Sequence, residues 1–198
     1  SEAVGENPPR GATIHYSLST KAAGEVTLEI FDGEGRRVRR LSSVAKPQLF
    51  PEDDPDEPMK APEAALSGAA GLHRAVWDLR WEGGARLENA KVDLGDPTEG
   101  PLAVPGTYRL RLSADGRTEE AALAVLPDPR SRVSAGDRES QLDFALALRA
   151  DLDRVVADIG EVRAIQAQVD DLAERLAGDG RAASLVAVAK RVSQSAAA

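Results

Sequence analysis

Cysteine is absent from this 198-residue chain, so no disulfide, thiolate nucleophile or sulfur-ligated metal is open to it. Histidine is almost as scarce. His15 and His73 lie in separate segments, and neither has a carboxylate at the spacing of an acid-base or metal pair. Two tryptophans, two tyrosines and three phenylalanines are all the aromatic residues available for a core anchor or a stacking platform. No apolar run approaches the ~20 residues of a membrane-spanning helix, and no basic-then-apolar signal segment opens the chain. Serine never occurs in the Gly-x-Ser-x-Gly elbow of a hydrolase nucleophile. Basic residues are outnumbered 25 to 33 by acidic ones, giving a net charge of -8, which argues against a nucleic-acid partner. The one dense basic cluster, Arg36 to Arg40, alternates around Val38 and reads as a solvated strand edge. No catalytic residue, cofactor or metal site is expected.

What is present is a sheet pattern followed by a helix pattern. Residues 1–11 are a polar, extended lead-in with Pro8-Pro9. From Ala12, apolar and polar residues alternate: Ile14, Tyr16 and Leu18, then Val26, Leu28 and Ile30, which is the signature of half-buried antiparallel strands. Ala22-Ala23-Gly24 connects them, and the Asp32-Gly33-Glu34-Gly35 turn returns the chain as RRVRRLS. Residues 43–70 hold five prolines among Glu52, Asp53, Asp54, Asp56 and Glu57, an extended acidic loop. Its EDDPDEP run lacks the glycine-centred spacing of a calcium loop. Gly71 to Trp81 then reads as the central strand. His73, Ala75, Trp77 and Leu79 share one face, Trp77 anchors the core, and Asp78 bonds a nearby turn. Trp81, beside Gly83-Gly84, is either core rim or an exposed platform. After a polar excursion, Tyr108, Leu110 and Leu112 face inward, Asp115-Gly116 makes a hairpin, and Ala121, Leu123 and Val125 return on one face. Six or seven short strands without an intervening helix predict an antiparallel β-sandwich over 12–126.

Residues 127–136 form a proline-bearing linker, and 137–198 are helical. Leu148, Val155, Val162, Val169 and Leu176 recur every seven residues. Ala145, Leu152, Ile159, Gln166 and Ala173 precede each by three, a heptad seam sustained over five repeats. Such a helix is about 60 Å long, whereas the second one after Gly178-Asp179-Gly180 spans about 22 Å. Part of the seam is therefore expected to lack a partner within the chain unless it lies on the sandwich.

The series YSLSTKAAGEVTLEIFDGEGRRVRRL, GLHRAVWDLRW and PGTYRLRL resembles the FlgD-type immunoglobulin-like domain, with its D-x-x-G turn, Gly-x-His-x-x-x-Trp-Asp strand and closing Pro-Gly-Thr-Tyr strand. NPPRGA at the start and the helical tail extend the resemblance over Asn7 to Leu176. Together these segments resemble the C-terminal region of large secreted bacterial proteins carrying sortilin-like or BNR-repeat β-propellers, often labelled glycosyl hydrolases. Leu79 stands where FlgD typically has glycine after Trp-Asp. The resemblance implies a fragment of a longer protein that is secreted, periplasmic or on the cell surface. Any active site would sit in the parent propeller, and this piece would be an accessory or assembly module.

Two functions are then in contest. A non-catalytic interaction module would dock its sandwich on the parent propeller and use its helices for packing or for homo-oligomerisation, through the seam Leu148, Leu152, Val155, Ile159, Val162, Val169 and Leu176. A carbohydrate-binding module would need exposed aromatic faces, for which Phe50 and Trp81 are the candidates.

Overall fold

The computed structural model describes residues 10–45, 66–87, 96, 98–176 and 183–196. The lead-in through 9, the acidic run with Phe50 and the Gly178-Asp179-Gly180 turn lie outside the described residues. Within them are eight strands and two helices: β1 (Ala12–Leu18), β2 (Thr27–Phe31), β3 (Arg37–Ser42), β4 (Gly71–Trp77), β5 (Arg80–Glu82), β6 (Glu99–Leu102), β7 (Gly106–Ala114), β8 (Arg117–Val125), α1 (Ala135–Leu176) and α2 (Ala183–Ala196). All strand pairings are antiparallel. The order β3-β2-β7-β8 makes a four-stranded sheet, and β1-β4 and β5-β6 make two further pairs.

Alternation along the strands decides which side chains meet. Leu28 and Ile30 from β2, Val38 and Leu41 from β3, and Tyr108 and Leu110 from β7 enter the same core as Ile14 and Tyr16 of β1 and Ala75 and Trp77 of β4. Trp77 is fully buried, and its indole N–H donates to the Arg80 carbonyl at 2.9 Å. The Tyr108 hydroxyl donates to the Val104 carbonyl at 2.5 Å, and the Tyr16 hydroxyl donates to the Ser67 carbonyl at 2.9 Å, so each buried phenol keeps a partner.

The two expected hairpins are present, β2–β3 across Asp32–Arg36 and β7–β8 across Asp115-Gly116. Asp115 and Gly116 both have positive φ, 49° and 75°, as a two-residue hairpin turn requires. Asp115 Oδ1 also accepts from the Ala23 amide at 2.9 Å, pinning the crossing that carries the chain from β1 to β2.

The stretch from Gly71 to Trp81 is two strands instead of one. Asp78 Oδ1 accepts from the Arg80 amide at 3.0 Å, and Leu79 adopts a φ of 60°, the left-handed region that glycine enters most easily. The chain thereby leaves the β1 pairing after Trp77 and pairs with β6 from Arg80. The contact is tight, because a Cβ on Gly83 would run into the Thr98 carbonyl and one on Gly100 into that of Trp81.

Candidate functional site

The long helix starts with a reciprocal cap. Ser134 Oγ accepts from the Asp137 amide at 3.1 Å and donates to Asp137 Oδ2 at 2.7 Å. Its first half then lies against the sheets. Leu142 is 5% exposed within the main core, and Leu146 packs beside it. Arg149 Nη1 donates to the Glu82 carbonyl at 2.7 Å, and Asp153 Oδ1 accepts from the Ala85 amide at 2.5 Å. These four residues follow one another at spacings of four, three and four, so they share one stripe of the helix. That docking stripe lies next to the heptad seam and is distinct from it.

The far end of α1 is covered by α2. Val169, Ala173 and Leu176 face Leu185, Val188 and Ala189 across an apolar cleft of about 190 Å³, and Ala173 is buried. The Val169 and Leu176 part of the expected seam thus has an intramolecular partner.

Between these two contacts the seam is bare. Leu148, Leu152, Val155, Ile159 and Val162 are each between 38% and 53% exposed. Their alternating four-and-three spacing keeps them in one strip about 21 Å long. The docking stripe explains why the sheets do not cover them: contact with the β-strands is made by an adjacent face of the same helix. Ile165 continues the strip at 56% exposed, and Phe144 stands at its beginning at 72%. Neither residue is an a or d position of the heptad, which is why seam reasoning passed over both. Leu142 and Leu146 were missed for the same reason, although two leucines four apart and off the seam are the signal of a second apolar stripe.

The aromatic candidates fall elsewhere. Trp81, one of the alternatives for an exposed platform, is a core residue: it is 4% exposed, and the Arg36 guanidinium lies 5.3 Å from its ring centroid. It lies on β5, which begins after the left-handed turn at Leu79. Its indole N–H is buried with no hydrogen-bond partner among the described residues. Phe50 lies outside the described residues. Phe31, on the outer face of the four-stranded sheet, carries the guanidinium groups of Arg109 and Arg111, each 4.9 Å from its centroid. Arg111 also holds Glu120, with Nε 2.9 Å from Oε1, and this hydrogen bond draws the Glu120 carboxyl below its usual range.

His73 Nε2 lies 2.7 Å from the Ala69 carbonyl, and its ring packs 5.2 Å from that of Tyr16, so this histidine is held in a structural contact. Among the described residues, no three His, Asp or Glu side chains converge to hold a metal ion, and no helix is long and apolar enough to cross a membrane. The largest shift in acidity belongs to Tyr108, whose phenol is pushed up to about 12 by burial and, secondarily, by the negative charge of Asp32. That tyrosine is a core residue hydrogen-bonded to backbone. The feature that stands out for function is therefore the bare strip of α1 between its two intramolecular contacts. Comparison with protein-family models, curated proteins and solved structures finds no match to this chain.

Proposed function

We propose that this chain is a non-catalytic interaction module whose working surface is the exposed apolar strip Leu148 to Val162 of α1. The observation that carries the reading is the contrast between this strip and the tryptophans. Large apolar side chains line up in the open on a helix fixed at both ends, while both indoles are withdrawn into the core. A row of apolar residues this regular on an otherwise charged helix marks an association surface.

The wider setting is proposed from the sequence resemblance. The β-strands form an immunoglobulin-like sandwich of the FlgD type, attached to a secreted or cell-surface β-propeller protein. Three features support the sandwich: antiparallel pairs packed around one core, a buried Trp77, and the Tyr108 hydroxyl bonded to the backbone four residues upstream, as in a tyrosine corner. The sandwich docks on the parent propeller, and the helix presents its strip for assembly. The alternative, a carbohydrate-binding module, requires an aromatic face open to a sugar. Trp81 is buried and Phe31 is covered by arginines, so support for it narrows to Phe50.

The test compares the wild-type chain with a Val155→Glu/Ile159→Glu variant of unchanged thermal midpoint. Association is measured both with itself, by light scattering, and with the separately produced remainder of its reading frame, by titration calorimetry. Loss of an association in the variant is expected. An identical profile for both proteins in both assays overturns the reading, and saturable quenching of tryptophan fluorescence by a polysaccharide favours the alternative.

A further inference from the structure

The four-stranded sheet ends in two edges of different character. At β3 the ladder with β2 carries a bulge, arginines line the strand, and the Arg40 amide donates to Glu82 Oε1 beside β5 at 3.3 Å. That edge is charged, bent and covered, as sheet edges that avoid pairing are. At β8 the nine residues pair with β7 in one unbroken register, without proline, lysine or bulge, and only Leu123 and Val125 are half-buried. Among the described residues no strand pairs with the outer side of β8. The hairpin fixes which of its backbone groups are open. Ala114 and Arg117 close the two-residue turn, so Arg117 and every second residue after it exchange both hydrogen bonds with β7. Thr118, Glu120, Ala122 and Ala124 therefore turn their N–H and C=O groups outward. Charge is confined to the first half of the strand, in Arg117, Glu119 and Glu120, whereas Ala121 to Val125 are small or apolar.

We infer that this edge pairs with β8 of a second copy of the chain, antiparallel about a two-fold axis at Ala121, joining the two four-stranded sheets edge to edge. The contact is separate from the α1 strip and does not depend on it. Self-complementarity selects the occupant. About that axis Thr118 meets Ala124 and Glu120 meets Ala122 of the second copy, and symmetry repeats both, so every outward backbone group finds a partner. Ala121 meets its own counterpart, and Glu119 meets Leu123. Each carboxylate thus faces an uncharged residue, and the smallest side chains sit at the axis. Glu120 is also drawn back over β7 by Arg109 and Arg111, away from the seam. Neighbouring registers do worse. An axis at Glu120 sets that carboxylate against itself, and an axis at Ala122 sets Thr118 against Leu126, beyond the end of β8. A strand running antiparallel here needs small or apolar residues opposite Glu119 and Glu120 and carries its charge opposite Ala122 and Leu123. That is the pattern of β8 read backwards.

The experiment uses the full chain and its natural lack of cysteine. Sedimentation equilibrium is expected to give twice the 20.9 kDa of one chain. Ala122→Pro removes an outward amide that β7 does not use, a change edge strands accept, and is expected to abolish the dimer. Ala122→Glu opposes Glu120 of the second copy twice and is expected to raise the dissociation constant about tenfold, whereas Ala122→Lys, opposite the same carboxylate, is expected not to weaken the dimer. Ala121→Cys is expected to cross-link to itself under mild oxidation, because a non-hydrogen-bonded antiparallel pair brings the two positions within disulfide reach. Amide exchange at Thr118, Glu120, Ala122 and Ala124 is expected to slow as protein concentration rises, while Glu119 and Ala121 stay protected throughout. A chain that remains monomeric overturns the inference. So does a dimer that withstands Ala122→Pro, fails to cross-link through Ala121→Cys, or ranks Ala122→Glu level with Ala122→Lys. A dimer lost in the Val155→Glu/Ile159→Glu variant and kept in Ala122→Pro assigns self-association to the helix and overturns it as well.

Discussion

Trp77 and Tyr108 meet edge to face in the centre of the core, with ring centroids 5.0 Å apart and planes inclined at 63°. Trp77 comes from β4 and Tyr108 from β7, so this contact ties a two-stranded pair to the four-stranded sheet. Tyr108→Phe keeps the ring and removes the hydroxyl bond to Val104, at an expected cost of about 1 kcal/mol. Trp77→Ala empties a fully buried site and costs about 3–5 kcal/mol. A double-mutant cycle between the two positions, measured by urea unfolding, is expected to show a coupling of about 1 kcal/mol. Strict additivity would contradict a direct ring contact.

The same phenol makes the fold sensitive to alkali. Tyr108 is raised from the ordinary value of 10.0 to about 12 because burial disfavours the phenolate, and burial raises Tyr16 as well. The folded state holds these protons more tightly than the unfolded state. Their contribution to stability is therefore complete below pH 10 and declines as the pH rises through the folded value near 12. Urea midpoints are expected to fall across this range more steeply for the wild type than for Tyr108→Phe. Parallel curves would show that Tyr108 is not the group responsible.

Leu79 combines two opposing roles. Its backbone is left-handed at a φ of 60°, while its side chain is half-buried against the core. Comparing Leu79→Ala with Leu79→Gly separates them, since both lose the packing and only glycine relieves the backbone. The glycine variant is expected to be more stable than the alanine variant by about 1 kcal/mol. An alanine variant that equals or exceeds it would mean that the turn relaxes to another conformation.

Two leucines on α1 should behave oppositely on truncation. Leu142→Ala is expected to destabilise the protein by about 2–5 kcal/mol, because the side chain belongs to the main core. Leu152→Ala, on the bare strip, is expected to change the stability of the single chain by less than about 0.5 kcal/mol. Calorimetric unfolding at a dilution where only single chains remain measures both. Comparable losses would indicate that the strip is covered within the chain.

Periodicity carried much of this protein into view. Alternation of two placed Ile14, Tyr16, Leu28, Ile30, Ala75, Trp77 and Tyr108 on inward faces, because a strand's side chains alternate by geometry alone. The heptad announced a helix too long for its partner. The Asp115-Gly116 dipeptide likewise marked a hairpin through local backbone preference.

The pairing of distant strands was decided only in three dimensions. The pattern made Gly71 to Trp81 one strand. A single left-handed residue, Leu79, splits it, and only the packing around β5 decides that Trp81 at its far end is core and not an open platform. Which stripe of α1 would touch the sheets was equally undetermined by the heptad. Leu142, Arg149 and Asp153 dock there because β5 and the residues after it offer a core edge, the Glu82 carbonyl and the Ala85 amide. Sequence determined that α1 has an apolar seam; tertiary packing, by docking the helix through a neighbouring face, decided that Leu148 to Val162 would be left open.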